Sequence, residues 1–329
     1  MSEFIQNCSM PLAILFLVVG FVLLVKGADV FVEGSSSIAK KLRVPSIIIG
    51  LTIVAMGTSL PEAAVSVTAS LANKNTLAIS NVVGSNIFNL MVVIGFCALM
   101  TPVEVKKDTL KRDFPFSVIC AILLLGLGYL GAMQLGHADG FVFLILFAGF
   151  IWVMIRSALK ASREGKAVES EEVEAADHMK IMPIPKSILF IVIGMVGIII
   201  GGDVVVDSAS NIAQALGMSQ TLVGLTIVSI GTSLPELVTS VVAARKHEVD
   251  MALGNAIGSN IFNILMVLGI AAAISPIPFM MENMIDIIIL LVFSLIVWIF
   301  AWTKKRLNKA EGALMLLMYA VYVVYICLR

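Results

Sequence analysis

Histidine and cysteine are scarce. Three His and four Cys are scattered over 329 residues, with no CxxC or HExxH spacing, so neither a disulfide framework nor a zinc site is expected. Charge is also scarce, at 13% of the chain, and it balances at 22 basic against 22 acidic residues. Zero net charge gives a nucleic-acid partner no electrostatic basis. There is no P-loop, no DKTG-like phosphorylation motif and no soluble domain, so the chain does not read as an enzyme or an ATP-driven pump, and no cofactor is expected.

What is abundant is apolar surface. Hydrophobic residues make up 59% of the chain, and the mean hydropathy is +1.03. Crossing a bilayer takes about 20 apolar residues. Breaks at Pro, Gly and charge then give ten spans, near 11–28, 46–72, 77–100, 115–132, 138–156, 186–202, 220–244, 251–274, 284–302 and 311–328. The run from Pro11 to Val25 lacks a basic lead-in and a small-residue cleavage site, so it reads as a span and not as a signal peptide. Basic residues cluster after the odd-numbered spans, as in Lys40, Lys41 and Arg43 or Lys304, Lys305 and Arg306, whereas the loops after even-numbered spans hold only Lys74. Cytoplasmic loops carry the Lys/Arg excess, so the expectation is an inner-membrane protein with both termini outside the cytoplasm.

Shifting the chain against itself by 174 residues overlays Gly50 to Leu90 on Gly224 to Ile264 without a gap, with 22 of 41 positions identical. Unrelated sequence would give about two or three, so this is a duplication. The expected domains are a first repeat over 1–160, a short solvated cytoplasmic linker over 161–184, and a second repeat over 185–329. Five spans per repeat bring the second copy into the membrane from the other side. The fold class is therefore all-α integral membrane, with ten transmembrane helices in two inverted five-helix repeats, an architecture suited to alternating access.

Two carboxylates lie inside spans, Glu62 and Glu236, at matched positions of GTSLPE. A charge at membrane depth costs at least about 2.5–3.5 kcal/mol, so a pair of them needs a compensating benefit. Ala55, Thr58, Ser59 and Glu62 follow one helix face, as do Ser229, Thr232, Ser233 and Glu236. Pro61 and Pro235 are expected to break the helix and free the carbonyls of Gly57 and Gly231. In the next spans, Asn81, Ser85 and Asn89, and likewise Asn255, Ser259 and Asn263, again share single faces, and Gly84 and Gly258 are expected to let these faces approach. Any one such hydroxyl or amide could serve only as a hydrogen bond between helices. Duplicated stripes around two carboxylates instead describe an oxygen-lined cavity for a hard cation, with Ca2+ and Na+ fitting best.

The paired GTSLPE and GSNIFN segments resemble the alpha repeats of the sodium/calcium exchanger family, within the calcium/cation antiporters, over nearly the whole chain. That resemblance implies Glu62 and Glu236 as central ion ligands, assisted by Thr58, Ser59, Ser85 and Asn89 and by Thr232, Ser233, Ser259 and Asn263, with the carbonyls of Ala55 and Ser229. It implies exchange of Ca2+ for Na+ in a compact prokaryotic member, with inorganic cations and the lipid bilayer as the partners. Several members carry Asp where this chain has Asn263. Ca2+/H+ antiport and K+-dependent exchange are the alternatives, and a channel fits less well. The first span of each half is expected to be the mobile pair, with Asp29, Glu33, Asp203 and Asp207 capping the ends of these spans.

Overall fold

Proline in the first turn marks where helices start in this chain, since its missing N–H is unpaired there in any case. A computed structural model describes residues 2–72, 75–131, 133–164, 181–218, 227 and 229–328. After a short α1 (Ser2–Gln6), Pro11 opens α2 (Met10–Leu42), which ends on Arg43 in the left-handed conformation. There follow α3 (Ser46–Thr58), α4 (Leu60–Leu71), α5 (Asn75–Met100), α6 (Thr109–Leu130) and α7 (His137–Glu164). The second half holds α8 (Ile184–Ala215), α9 (Ser229–Gly231), α10 (Leu234–Arg245), α11 (Val249–Ile274), α12 (Met281–Lys304) and α13 (Lys309–Leu328). Lys74, most of the expected linker and the start of the expected seventh span lie outside the described residues.

Among the described residues the fold is helical apart from four two-residue strands. Among the described residues eight helices are long and apolar enough to cross a membrane, and α3 with α4, bent by 48° at their junction, makes nine. The helices α5 and α11 are the interior ones, with 83% and 78% of their apolar windows buried, against 22% for α2 and 17% for α13. The outer helices turn Ile, Leu, Val and Phe side chains outward, as a lipid-facing surface requires.

Helices α2 and α8 run against each other along a seam of small residues spaced seven apart, Gly20, Gly27 and Gly34 on one, Ser187, Gly194 and Gly201 on the other. A Cβ at Gly194 would sit 2.5 Å from Phe31 N, and one at Gly201 would sit 2.5 Å from Leu24 N. Within lipid, van der Waals contact of this kind drives helix association, because burial from water contributes nothing there. Both helices run past the ends of the expected first spans. Asp29, Glu33, Asp203 and Asp207 therefore lie inside helices and do not cap them. Counting apolar residues finds only the part that crosses lipid, and the Ser-rich and Ala-rich continuations stay helical beyond it.

Two pairs of short strands clip loops of one half to loops of the other. Val103–Glu104 pairs antiparallel with Arg306–Leu307, and Gln134–Leu135 with Ile277–Pro278. Val103 and Ile277 hold the same place in the repeat, so the two clips are reciprocal.

Candidate cation site at two helix breaks

Ser59 interrupts the first GTSLPE segment and Ser233 the second. Their backbone angles are nearly the same, φ −85°, ψ 10° and φ −92°, ψ 3°, in the sparsely populated bridge region. This corrects the expected role of Pro61 and Pro235. Each lies in the first turn of the helix after the break, where proline is well tolerated, and the break falls two residues earlier. The single stripe expected from Ala55 to Glu62 is thus split between two helices, with Glu62 and Glu236 in the first turns of α4 and α10. An N-terminal first turn favours a carboxylate through its free N–H groups.

The two carboxylates are fully buried and interlinked between the halves. Ser59 Oγ donates to Glu236 Oε1 at 2.6 Å, and Ser233 Oγ donates to Glu62 Oε1 at 3.1 Å. Ser85 and Ser259 each donate to the glutamate of their own half, Glu62 and Glu236, at 3.4 Å. Thr58 Oγ1 donates to Asn255 Oδ1 at 3.0 Å. The sequence placed Ser59 beside Glu62. The bend at Ser59 turns its hydroxyl instead to the carboxylate of the other repeat.

Several oxygens remain without a protein partner. Among the described residues, Glu62 Oε2, Glu236 Oε2, Thr232 Oγ1, Asn263 Oδ1 and both polar atoms of Asn89 are buried and unbonded. Buried polar atoms are nearly always satisfied, so a cluster like this needs a physical account, and a cation supplies one for the oxygens. The Ala55 carbonyl accepts from Ser59 N at 3.1 Å. Ser229 opens α9. No trio of His, Cys, Asp or Glu gathers among the described residues, so the donor set is two carboxylates with hydroxyls and amides.

Asn263 and Asn89 each begin a π-helical segment, Asn263–Val267 and Asn89–Val93, in which an N–H bonds five residues back, Leu268 to Asn263 O and Ile94 to Asn89 O. Such bulges rotate side chains out of the α register and concentrate at functional sites.

Other polar residues support these groups. Asn81 Nδ2 donates to Ser66 Oγ at 3.1 Å and to Glu62 O at 3.4 Å, and Asn255 Nδ2 donates to Ser240 Oγ at 2.9 Å and to Glu236 O at 3.3 Å. Ser66 and Ser240 were not expected from the sequence, although their duplication in the repeat was a signal. Gly258 makes the close approach expected of it, since a Cβ there would lie 2.7 Å from Leu51 Cα. At Gly84 a Cβ meets nothing within 4 Å, and residue 225, the counterpart of Leu51, lies outside the described residues.

Charged residues also link the two halves. Lys246 Nζ pairs with Asp29 at 2.7 Å, Lys106 pairs with Asp250, and the Glu248 carboxylate accepts from Ser36 and from Ser46. At the matched positions of the other half, Ala72 replaces Lys246 and Met280 replaces Lys106.

Two blocks of the chain, residues 12–156 and 186–328, match the model of the sodium/calcium exchanger protein family. The chain belongs to the sodium/calcium exchanger family. Within that family it is 38% identical to the putative antiporter CaxA of Alkalimonas amylolytica, over 95% of this chain and 98% of that one. It is 35% identical to the inner membrane protein YrbG of Escherichia coli, over 88% and 90%. Among solved structures it is similar to the sodium-calcium exchanger NCX_Mj, with a TM-score of 0.81 and 32% identity over 96% of this chain and 99% of that one. A family of antiporters that pass through the membrane several times accounts for a buried, duplicated polar site on interior helices surrounded by helices that face lipid.

Proposed function

We propose that this protein is a secondary antiporter exchanging Ca2+ for Na+ across the cytoplasmic membrane by alternating access. The observation that carries the reading is the pair of buried glutamates, each bonded by a serine of the opposite repeat and each with one carboxylate oxygen free. The ligands in this reading are Glu62, Glu236, Thr58, Ser59, Ser85, Asn89, Thr232, Ser233, Ser259 and Asn263, with the carbonyls of Ala55 and Ser229. NCX_Mj, similar over nearly its whole length, carries the name of a sodium-calcium exchanger, which supports the choice of ions.

The ten spans form two inverted five-helix repeats, residues 1–160 and 185–329, joined by a cytoplasmic linker. Reciprocal serine bonds, reciprocal strand clips and the seam of α2 and α8 support this arrangement. Both termini lie outside the cytoplasm, on the strength of the basic loops. The Lys246–Asp29 pair then lies on the cytoplasmic side.

Coupling follows from charge. With both glutamates ionised, a closed empty cavity would bury two like charges, and each uncompensated buried ion costs several kcal/mol. One Ca2+ cancels the pair, as do two Na+, while a third Na+ leaves one positive charge. The closed state is therefore reached only when the cavity is loaded, and competition for one cavity makes the carrier an exchanger. The movement is assigned to α2 and α8, whose glycine seam holds them together as a unit against the ligand-bearing helices.

The deciding experiment is Ca2+ flux in proteoliposomes under imposed Na+, K+ or H+ gradients, one at a time. Flux driven by the Na+ gradient alone is the expected result. Drive by H+ or a requirement for K+ would replace Na+ exchange with the corresponding alternative, and flux with no ion on the opposite side would mean a channel. Because ligation needs ionised carboxylates, uptake should fall as the medium is acidified, at constant Na+, and recover on return to neutral pH. Asn263→Asp adds a third carboxylate to the cavity. The sodium concentration for half-maximal exchange should shift several-fold with expression unchanged, and an unaltered sodium titration would place Asn263 outside the cavity.

A further inference from the structure

At the crossing of α5 and α11 two asparagines grip each other's backbone. Asn86 Nδ2 donates to Asn260 O at 3.1 Å, and Asn260 Nδ2 donates to Asn86 O at 3.2 Å, both in a fully packed interior. Up to this point the two halves are equivalent. The side-chain oxygens differ. Asn86 Oδ1 accepts from Asn263 Nδ2 at 3.1 Å, whereas Asn260 Oδ1 is buried without a partner among the described residues. Asn89, the repeat counterpart of Asn263, has neither polar atom bonded among the described residues.

An amide has two unlike ends, and only its oxygen can ligate a cation. We propose that Asn86 is a positioning residue for the exchange site, holding Nδ2 of Asn263 so that the free Oδ1 is the atom offered to the cation. This rests on the reading of Asn263 as a ligand. Asn263 follows by one turn Ser259, whose hydroxyl donates to Glu236 at 3.4 Å, and its Oδ1 is buried and unbonded. Without Asn86 the amide is free to turn its NH2 inward, and part of the population then presents a donor where the cation needs an acceptor. Asn263 is neutral, so orientation is the whole of its contribution.

The repeat supplies an internal control. Asn260→Ala removes the same kind of bond between the two helices and a side chain of the same size as Asn86→Ala, yet it releases no amide. The experiment is calorimetric Ca2+ titration of the purified protein at fixed Na+ for Asn86→Ala, Asn260→Ala, Asn263→Ala and the double variant Asn86→Ala with Asn263→Ala. Asn86→Ala and Asn263→Ala should each weaken Ca2+ binding about tenfold, and the double variant should be no weaker than either alone, because both remove one oriented oxygen. Asn260→Ala should change binding less than about threefold. In vesicles, Asn86→Ala should raise half-saturating Ca2+ while leaving the maximal rate in place.

Equal weakening by Asn260→Ala, or losses that multiply to about a hundredfold in the double variant, would reduce Asn86 to a packing residue. Unchanged binding in Asn263→Ala would overturn the inference from the other side. Should Asn86→Ala not fold, Asn86→Ser keeps more of the packed volume and carries the same comparison. If the unsubstituted protein binds no Ca2+, the exchange reading itself is overturned, and the inference with it.

Discussion

Replacing Glu62 or Glu236 by Gln should abolish Ca2+ uptake into vesicles while the protein still folds and inserts. Gln keeps the size of the side chain and an oxygen for the serine that bonds it, so Ser233 and Ser59 keep an acceptor. What is lost is one of two negative charges at fully buried positions. A divalent cation there would be left with a net positive charge, and breaking a buried charge pair costs about 3–5 kcal/mol. At about 1.4 kcal/mol per decade, that is a loss of about two to three and a half orders of magnitude in affinity. Matched positions in the repeat predict losses of similar size for the two variants. Initial-rate 45Ca2+ uptake, with the monodisperse yield in detergent as the check on folding, tests this. Uptake above about a tenth of the unsubstituted rate in either variant would mean that its carboxylate does not hold the ion.

Much of this site could be read from the chain before any geometry. The duplication, the breaks in GTSLPE and the improbable pair of carboxylates follow from spacing and from the cost of charge in lipid, which act along the chain. What could not be read were contacts between distant segments. Ser59 meets Glu236 across 177 residues, and no periodicity distinguishes that partner from Glu62, three residues away. The brace of Asn86 and Asn260 was hidden for the same reason, although both lie in GSNIFN and both recur. Apolar counting ends the first spans near Asp29 and Asp203, where lipid stops, while the helices run on to Leu42 and Ala215. Proline forbids helix in its interior and so points to a break at Pro61 and Pro235, whereas Ser59 and Ser233 take the turn and proline starts the next helix. A lone charge rule gave the basic loops, but only packing revealed that Lys246 and Lys106 bind Asp29 and Asp250.

Gly254→Val should prevent the protein from folding, although the residue has no side-chain oxygen to offer the proposed cation site. Helix α11 crosses α3 with backbone against backbone. A Cβ at Gly254 would lie 2.6 Å from Ile47 O and 3.0 Å from Leu51 N, and one at Gly50, across the crossing, would lie 2.5 Å from Met251 O. A flexible side chain can turn aside from such an overlap, but a helix backbone cannot, so the two helices must separate. Overpacking a core costs about 1–3 kcal/mol where side chains can yield, and here the yielding groups are carbonyls and amides of the ladder itself. Asn255, the next residue, accepts the Thr58 hydroxyl across the same crossing, so separation also pulls apart the two halves of the site. The expected results are loss of monodisperse protein for Gly254→Val, and for Gly254→Ala a lowered melting temperature with weakened Ca2+ binding. Gly126 provides the comparison, since a Cβ there meets nothing within 4 Å. Gly126→Ala should be neutral or stabilising by up to about 1 kcal/mol, through helix propensity alone. A Gly254→Val protein that melts like the unsubstituted chain would show that α3 and α11 do not cross in backbone contact, and the convergence of Thr58 and Asn255 would lose its structural basis.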